Sequence, residues 1–208
     1  MTGITAHDRN TGPFGNVYDK YGSRNPVARY LMSAFLRNVV DLARGVEHGQ
    51  ILEVGCGEGH LSRHLVKHLE PGLQSYLASD LEVGRSSCGE DRRLTFVQAD
   101  ACELPYDDDS FDLVVCCEVL EHLQRPEMAL AEARRVARRA VLVSTPWEPM
   151  WRILNVARGR YLRDLGNTPG HIQHFGRSEL LQLCALHLDV LAIRKPLPWT
   201  IVLGTPKK

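Results

Sequence analysis

The sequence predicts an α/β chain: a doubly wound, mostly parallel sheet with an antiparallel edge strand, covered by helices on both faces in three α/β/α layers. Three observations predict it. Short apolar runs alternate with stretches of helical period between residues 51 and 144. A glycine-rich turn, Gly55-Cys56-Gly57-Glu58-Gly59, joins the first run to the first helix. Residues 111–117, FDLVVCC, are apolar almost without a break, as suits a strand covered on both faces.

In chain order, residues 1–13 are polar and loose, and Phe14, Tyr18 and Tyr21 fall at the spacing of a helical turn with an aromatic face. Asn25-Pro26 reads as a helix start. The helix runs toward Leu42 with Tyr30, Leu31, Ala34, Phe35, Val39 and Leu42 inward, and Gly45 ends it. Strands follow at 51–54, 75–79, 94–97, 111–117 and 140–144, with helices at 59–69 and 126–137. Residues 147–176 break the rhythm: a Trp- and Arg-bearing amphipathic helix, then a loop through Asn167-Thr168-Pro169-Gly170. Ser178 reads as the cap of a last helix, and two short strands, 188–193 and 199–203, close the chain. The expected organisation is a single domain over residues 1–208, with a helical cap at 14–45 and an inserted lid at 147–176 that sets acceptor specificity.

Length and composition fit that plan. The 208 residues are 44% hydrophobic, enough for a sizeable core. The 25 basic and 25 acidic residues give no overall pull toward nucleic acid. The six cysteines form no Cys-x-x-Cys pair and most have apolar neighbours, so reduced, buried thiols in a cytoplasmic protein are expected. The polar N-terminus does not read as a signal peptide, and no uncharged run reaches the roughly 20 residues of a membrane span.

A parallel sheet binds its ligand beyond the carboxyl ends of its strands. Those ends carry Gly55 to Gly59, Asp80, Asp100, Glu118 and Ser144-Thr145-Pro146. Glycines let a turn bend tightly and bring backbone close to a ligand. Asp80 has the position of a carboxylate that accepts from both hydroxyls of a ribose, although an N-cap or surface role would also explain it. Asp100 can accept from an exocyclic amine, beside the backbone of Ala101 and Cys102. Leu81 and Leu104 can flank a base, with ordinary core packing equally open to them. Glu53, at an apolar strand end, needs a partner: it can orient the turn or pair with a ligand amine. Cys56 fills space beside the turn. The spacing is not the Gly-x-Gly-x-x-Gly of dinucleotide enzymes.

The set Glu53-Val54-Gly55-Cys56-Gly57-Glu58-Gly59, Asp80, Ala99-Asp100, Leu104-Pro105, Phe111-Asp112 and Glu118-Val119-Leu120-Glu121-His122 resembles the class I S-adenosylmethionine-dependent methyltransferases, and within them the type-11 small-molecule branch that includes the ubiquinone O-methyltransferases. The resemblance covers residues 48–145 well and 171–184 more loosely. It implies a Rossmann-like fold and S-adenosyl-L-methionine as cofactor. By the same resemblance the glycine turn passes the carboxypropyl part, Asp80 holds the ribose, Asp100 with Ala101 and Cys102 reads the adenine, and Glu118 marks the meeting of cofactor and acceptor pockets.

The implied reaction is methyl transfer to a small molecule, a hydroxyl oxygen foremost, by direct in-line attack. His171 or His174 can take the hydroxyl proton, since imidazole titrates near neutrality; holding the loop by a hydrogen bond is the competing role. The lid helix, with Trp151, Leu154, Arg158 and Tyr161 at helical spacing and Arg152, Arg160 and Arg163 adding charge, can close over an apolar or amphiphilic acceptor, touch an anionic membrane surface, or pack against the N-terminal helix. Glu118, Glu121 and His122, completed by His171 and His174, invite a cation of the kind used by metal-dependent RNA 3′-terminal methyltransferases, but the run also occurs in metal-free relatives and no metal is expected. An RNA or other nucleic-acid methyltransferase and a non-catalytic S-adenosylmethionine-binding protein are the alternatives, and no nucleic-acid partner is expected.

Overall fold

The computed structural model describes residues 25–82, 91–157, 159, 161, 165–168 and 170–208. Phe14, Tyr18, Tyr21, Cys88, Arg158, Arg160, Arg163 and Pro169 lie outside them. The elements run α1 (Pro26–Arg44), β1 (Gln50–Val54), α2 (His60–His68), β2 (Ser75–Asp80), β3 (Leu94–Gln98), β4 (Phe111–Cys117), a 3-10 turn (Leu120–His122), α3 (Pro126–Val136), β5 (Ala137–Pro146), α4 (Met150–Ala157), α5 (Arg177–His187), β6 (Leu188–Arg194) and β7 (Trp199–Pro206).

The seven strands form one sheet in the order β3-β2-β1-β4-β5-β7-β6. β1, β2, β3, β4 and β5 pair in parallel. The expected antiparallel edge is built by β7, which runs against β5 on one side and β6 on the other. The strand order reverses between β1 and β4, the place where open α/β sheets bind ligands.

Strand alternation divides the core in two. Ile51, Leu113, Val115, Ala140 and Leu142 face one layer with residues of α1 and α2; Leu52, Val54, Val114, Cys116, Val141 and Val143 face the other with α3 and α5. Cys56, Cys102, Cys116, Cys117 and Cys184 are free thiols.

Asn25 caps α1 as expected, its Oδ1 accepting from the amides of Val27 and Ala28 at 2.9 and 3.3 Å. Several expectations are corrected. Tyr30 is 68% exposed, because the buried stripe of α1 passes through Met32, Phe35, Val39, Leu42 and Ala43, one residue out of phase with it. β5 begins at Ala137, three residues early. Arg138 and Arg139 sit on the strand yet keep their heads at the surface, on the carboxylate of Asp112 at 2.7 and 3.4 Å. The last helix is capped by Gly176, whose amide donates to Glu179 Oε2 at 2.7 Å, so Ser178 falls inside the first turn. α4 stops at Ala157, and Tyr161, with φ +50°, does not continue it. Among the described residues no helix is long and apolar enough to cross a membrane.

The Leu142 side chain is wholly buried in the central part of the sheet. Leu142→Ala should destabilise the fold by about 2–5 kcal/mol, read as a drop in the urea midpoint. A change below about 1 kcal/mol would show that this layer is not close-packed.

Candidate functional site

The glycine turn starts where β1 ends. Gly55, Gly57 and Gly59 all have positive φ, +72°, +52° and +75°. At Gly55 a Cβ would strike the side chain of Val119, so the turn is pressed against the segment that leaves β4. At Gly57 a Cβ would meet nothing within 4 Å: this backbone faces open space. Gly59 is the N-cap of α2. Cys56 is buried, and its amide donates to the Ser79 carbonyl at 2.9 Å, tying the turn to β2. Burial pushes the Cys56 thiol far up, with Glu53 and Asp80 adding to it, so Cys56 is no nucleophile.

Asp80, at the end of β2, accepts from the Gly57 amide at 2.7 Å through Oδ2. One carboxylate therefore spans the gap between two strand ends beside the open space. Leu81 is 40% exposed and available to a ligand, whereas Leu104 is buried in core. Asp100 is exposed, and its Oδ1 accepts from the Cys102 amide at 2.8 Å; Ala101 is buried between them. Cys102 is half-buried, which raises its thiol.

Glu53 is buried behind the turn and accepts from the Tyr76 hydroxyl at 2.8 Å. The partner that its sequence position calls for is the Tyr76 hydroxyl. Burial pushes its carboxyl up to about 7, the Asp80 charge adding to this and the Ser62 and Tyr76 hydroxyls opposing it.

A second group of polar side chains gathers above β4 and β5. Glu118, directly after β4, has φ +61°, an uncommon conformation for a side-chain-bearing residue, and its amide donates to the Ser144 carbonyl at 3.0 Å. The amides of Ile172 and Gln173 both donate to the Glu121 carbonyl, at 2.9 and 3.0 Å, drawing the loop after α4 onto the 3-10 turn. Donor atoms of Glu121, His122 and His171 thereby come within 4.8 Å of one another, a set able to hold a proton or a cation. His122 Nδ1 lies 2.9 Å from the Gly170 carbonyl. His171 is 5% exposed, and its Nδ1 lies 3.3 Å from Oε1 of Glu148. Glu118 and His174 are not in this set; His174 is exposed and pairs with Asn167 at 3.0 Å.

Aromatic rings continue from here toward α1. The His122 and His171 ring centres are 4.8 Å apart, His171 and Trp151 6.4 Å, Trp151 and Trp199 5.7 Å, and Trp199 and Phe35 4.9 Å. Trp151 and Trp199 also line an apolar cavity of about 230 Å³ together with Val27, Leu31, Met32 and Leu154. Sequence reading missed Glu148 and Trp199. Their signal was position alone: each stands where β5 leaves the sheet and β7 enters it, Trp199 opposite Pro146.

Residues 52–143 match a protein-family profile described as "Methyltransferase domain". That match spans 92 of the 208 residues, less than half of the chain. The chain is similar to the demethylmenaquinone methyltransferase of Renibacterium salmoninarum, 34% identical over 128 residues, covering 60% of this chain and 52% of that one. It is also similar to the ubiquinone/menaquinone biosynthesis C-methyltransferase of Cupriavidus taiwanensis, 29% identical over 167 residues, covering 74% and 68%. The chain spans from about a quarter to about half the length of the first curated relatives it matches. Among solved structures, the magnesium protoporphyrin IX methyltransferase of Synechocystis PCC 6803 with bound SAH superimposes with a TM-score of 0.65 at 18% identity, covering 89% and 90% of the two chains. The two chains thus share a fold.

Because Glu53 keeps a proton in the native state that the unfolded chain, with its usual value of 4.5, releases, its effect on stability has a definite sign. The contribution is full below about pH 4.5 and is lost as pH rises through about 7, a fall of about 3 kcal/mol. Glu53→Gln should abolish that part of the slope when urea unfolding is compared at pH 5 and pH 8. An unchanged slope would show that Glu53 is ionised in the native protein.

Proposed function

We propose that this methyltransferase domain binds S-adenosyl-L-methionine and transfers its methyl group to a small-molecule acceptor in the cytoplasm, by in-line attack of a hydroxyl oxygen. The observation that carries the cofactor half is the open backbone at Gly57 beside the Asp80 carboxylate, at the point where strand order reverses. A ligand with a ribose diol fits there, since its hydroxyls can donate to Asp80 while the turn leaves room. Glu53, Gly55, Cys56, Gly57 and Gly59 form the cradle, Leu81 and Asp100 with Ala101 and Cys102 the adenine side, and Glu118 the border with the acceptor. The bound cofactor supplies an electrophilic methyl; the chain's own part is to place the acceptor and receive its proton.

The acceptor is apolar or amphiphilic. The cavity between α1, α4 and the start of β7 supports this, as do Ile153 and Val156, exposed on α4 and suited to an apolar tail or a membrane surface. In this reading residues 147–176 are the lid. His171, held at the inner end of the aromatic row, is the better placed of the two histidines to take the proton; His174 stands apart. The name of the Cupriavidus taiwanensis relative, a C-methyltransferase, favours carbon as a second acceptor atom.

Calorimetry and thermal shift with S-adenosylmethionine and S-adenosylhomocysteine test the reading. Both should bind and raise the melting temperature, and Asp80→Ala should weaken binding at least tenfold while leaving the fold intact. No binding at millimolar ligand would contradict it.

A further inference from the structure

Glu148 has no part in the reading above, yet it is one of the more deeply buried carboxylates, 6% exposed. It stands just beyond β5, fixed by its own amide, which donates to the Phe175 carbonyl at 3.1 Å. Its Oε1 lies 3.3 Å from His171 Nδ1, and both side chains are shut away from solvent. Its Oε2 is buried without a hydrogen-bond partner among the described residues. An orphaned carboxylate oxygen in an interior calls for an explanation, because its desolvation is not offset.

Resting on the hydroxyl-acceptor reading, we propose that Glu148 is the positioning residue for His171, accepting from Nδ1–H so that Nε2 is the nitrogen that takes the acceptor's proton. An ionised carboxylate only accepts hydrogen bonds, so the ring nitrogen facing it carries the hydrogen and the other carries the lone pair. The ring is held on its other sides as well. Trp151 lies nearly parallel to it at 6.4 Å, His122 stands edge-on at 4.8 Å, and the His171 amide donates to the Thr168 carbonyl at 3.1 Å.

The chemistry balances. The acceptor O–H bond breaks and its proton passes to Nε2. The oxygen's electron pair forms the new bond to the methyl carbon, and the carbon–sulfur bond breaks to leave neutral S-adenosylhomocysteine. The positive charge lost by the sulfonium appears on the imidazolium, beside the Glu148 carboxylate, whose burial is then compensated. The charged and titratable neighbours are few. Glu121 and His122 face His171 from the 3-10 turn, and Arg152, His174 and Glu179 share a cavity of about 500 Å³ with Glu148. Glu121 acts in the same direction as Glu148, while Arg152 and a protonated His122 or His174 oppose it. Arg177, at the start of α5, is turned to the Trp147 ring, 3.8 Å from its centre.

The test is nitrogen-15 NMR of histidine-labelled full-length protein with S-adenosylhomocysteine present, the His171 signals being assigned by their loss in His171→Gln. Wild type should show His171 as the Nδ1–H tautomer when neutral. Glu148→Gln, whose amide oxygen still accepts from Nδ1–H, should keep that tautomer. Glu148→Ala should lose the tautomer preference, and Glu148→Asp should restore part of it. All variants should keep the thermal shift with S-adenosylhomocysteine; should one fail to fold, the wild-type tautomer alone decides. An Nε2–H tautomer in wild type, or a tautomer preference that survives in Glu148→Ala, would overturn the proposal. So would His171 nitrogen signals that change when the protein is treated with a chelator, because a cation at Glu121, His122 and His171 would then govern the site. If S-adenosylhomocysteine binds no form of the protein, the methyltransferase reading fails, and the tautomer result still judges Glu148 separately.

Discussion

The contact between Gly55 and Val119 is the constraint on which the site depends. β1 and β4 are neighbours at the centre of the sheet, paired through Ile51–Leu113, Leu52–Val114 and Glu53–Val115. Each must leave the sheet at the same end and in nearly the same place. Only a residue without a Cβ, in a left-handed conformation, lets the β1 turn lie against the side chain of Val119. That close approach sends the turn over toward β2, where Gly57 meets Asp80, and sends the β4 exit the other way, toward Glu121 and the loop after α4. Two sites grow from one crossing point, and their separation follows from sheet geometry rather than from the residues that line them.

Burial sets the chemistry on either side of that point. Behind the turn, Glu53 is enclosed with Tyr76 and held partly as the neutral acid, which suits a scaffold residue. Beyond β5, Glu148 and His171 are enclosed together, and the imidazole gives the carboxylate a partner able to carry positive charge. The two carboxylates are similarly inaccessible, and their neighbours differ: a tyrosine hydroxyl for one, an imidazole for the other.

Much of the fold is legible in the sequence because its signals are local. Asn25-Pro26 announces a capped helix, FDLVVCC a doubly covered strand, and the spaced glycines a turn that only a ligand-facing loop requires. The places of Gly55, Asp80 and Glu118 were legible for the same reason: each stands at the end of an apolar run. Where reading failed, the cause was non-local. Arg138 and Arg139 look like a helix end, and only their reach to Asp112 makes them tolerable on a strand. Tyr30 fits a helical period but lies beyond what the sheet covers. Glu148 carries no motif at all, and its importance appears only when the loop bearing His171 folds back onto Glu121, a pairing set by backbone hydrogen bonds across about fifty residues.

The central claim is that the turn at Gly55–Gly59 and the Asp80 carboxylate together hold an adenosyl ligand. A crystal structure of the protein grown with S-adenosylhomocysteine tests it most directly. The account predicts the ribose hydroxyls on Asp80, the amino-acid tail over the open backbone of Gly57, and the adenine between Leu81 and Asp100. A nucleoside seated anywhere else, with Asp80 still engaged by the amides of Gly57 and Glu82 alone, would contradict it.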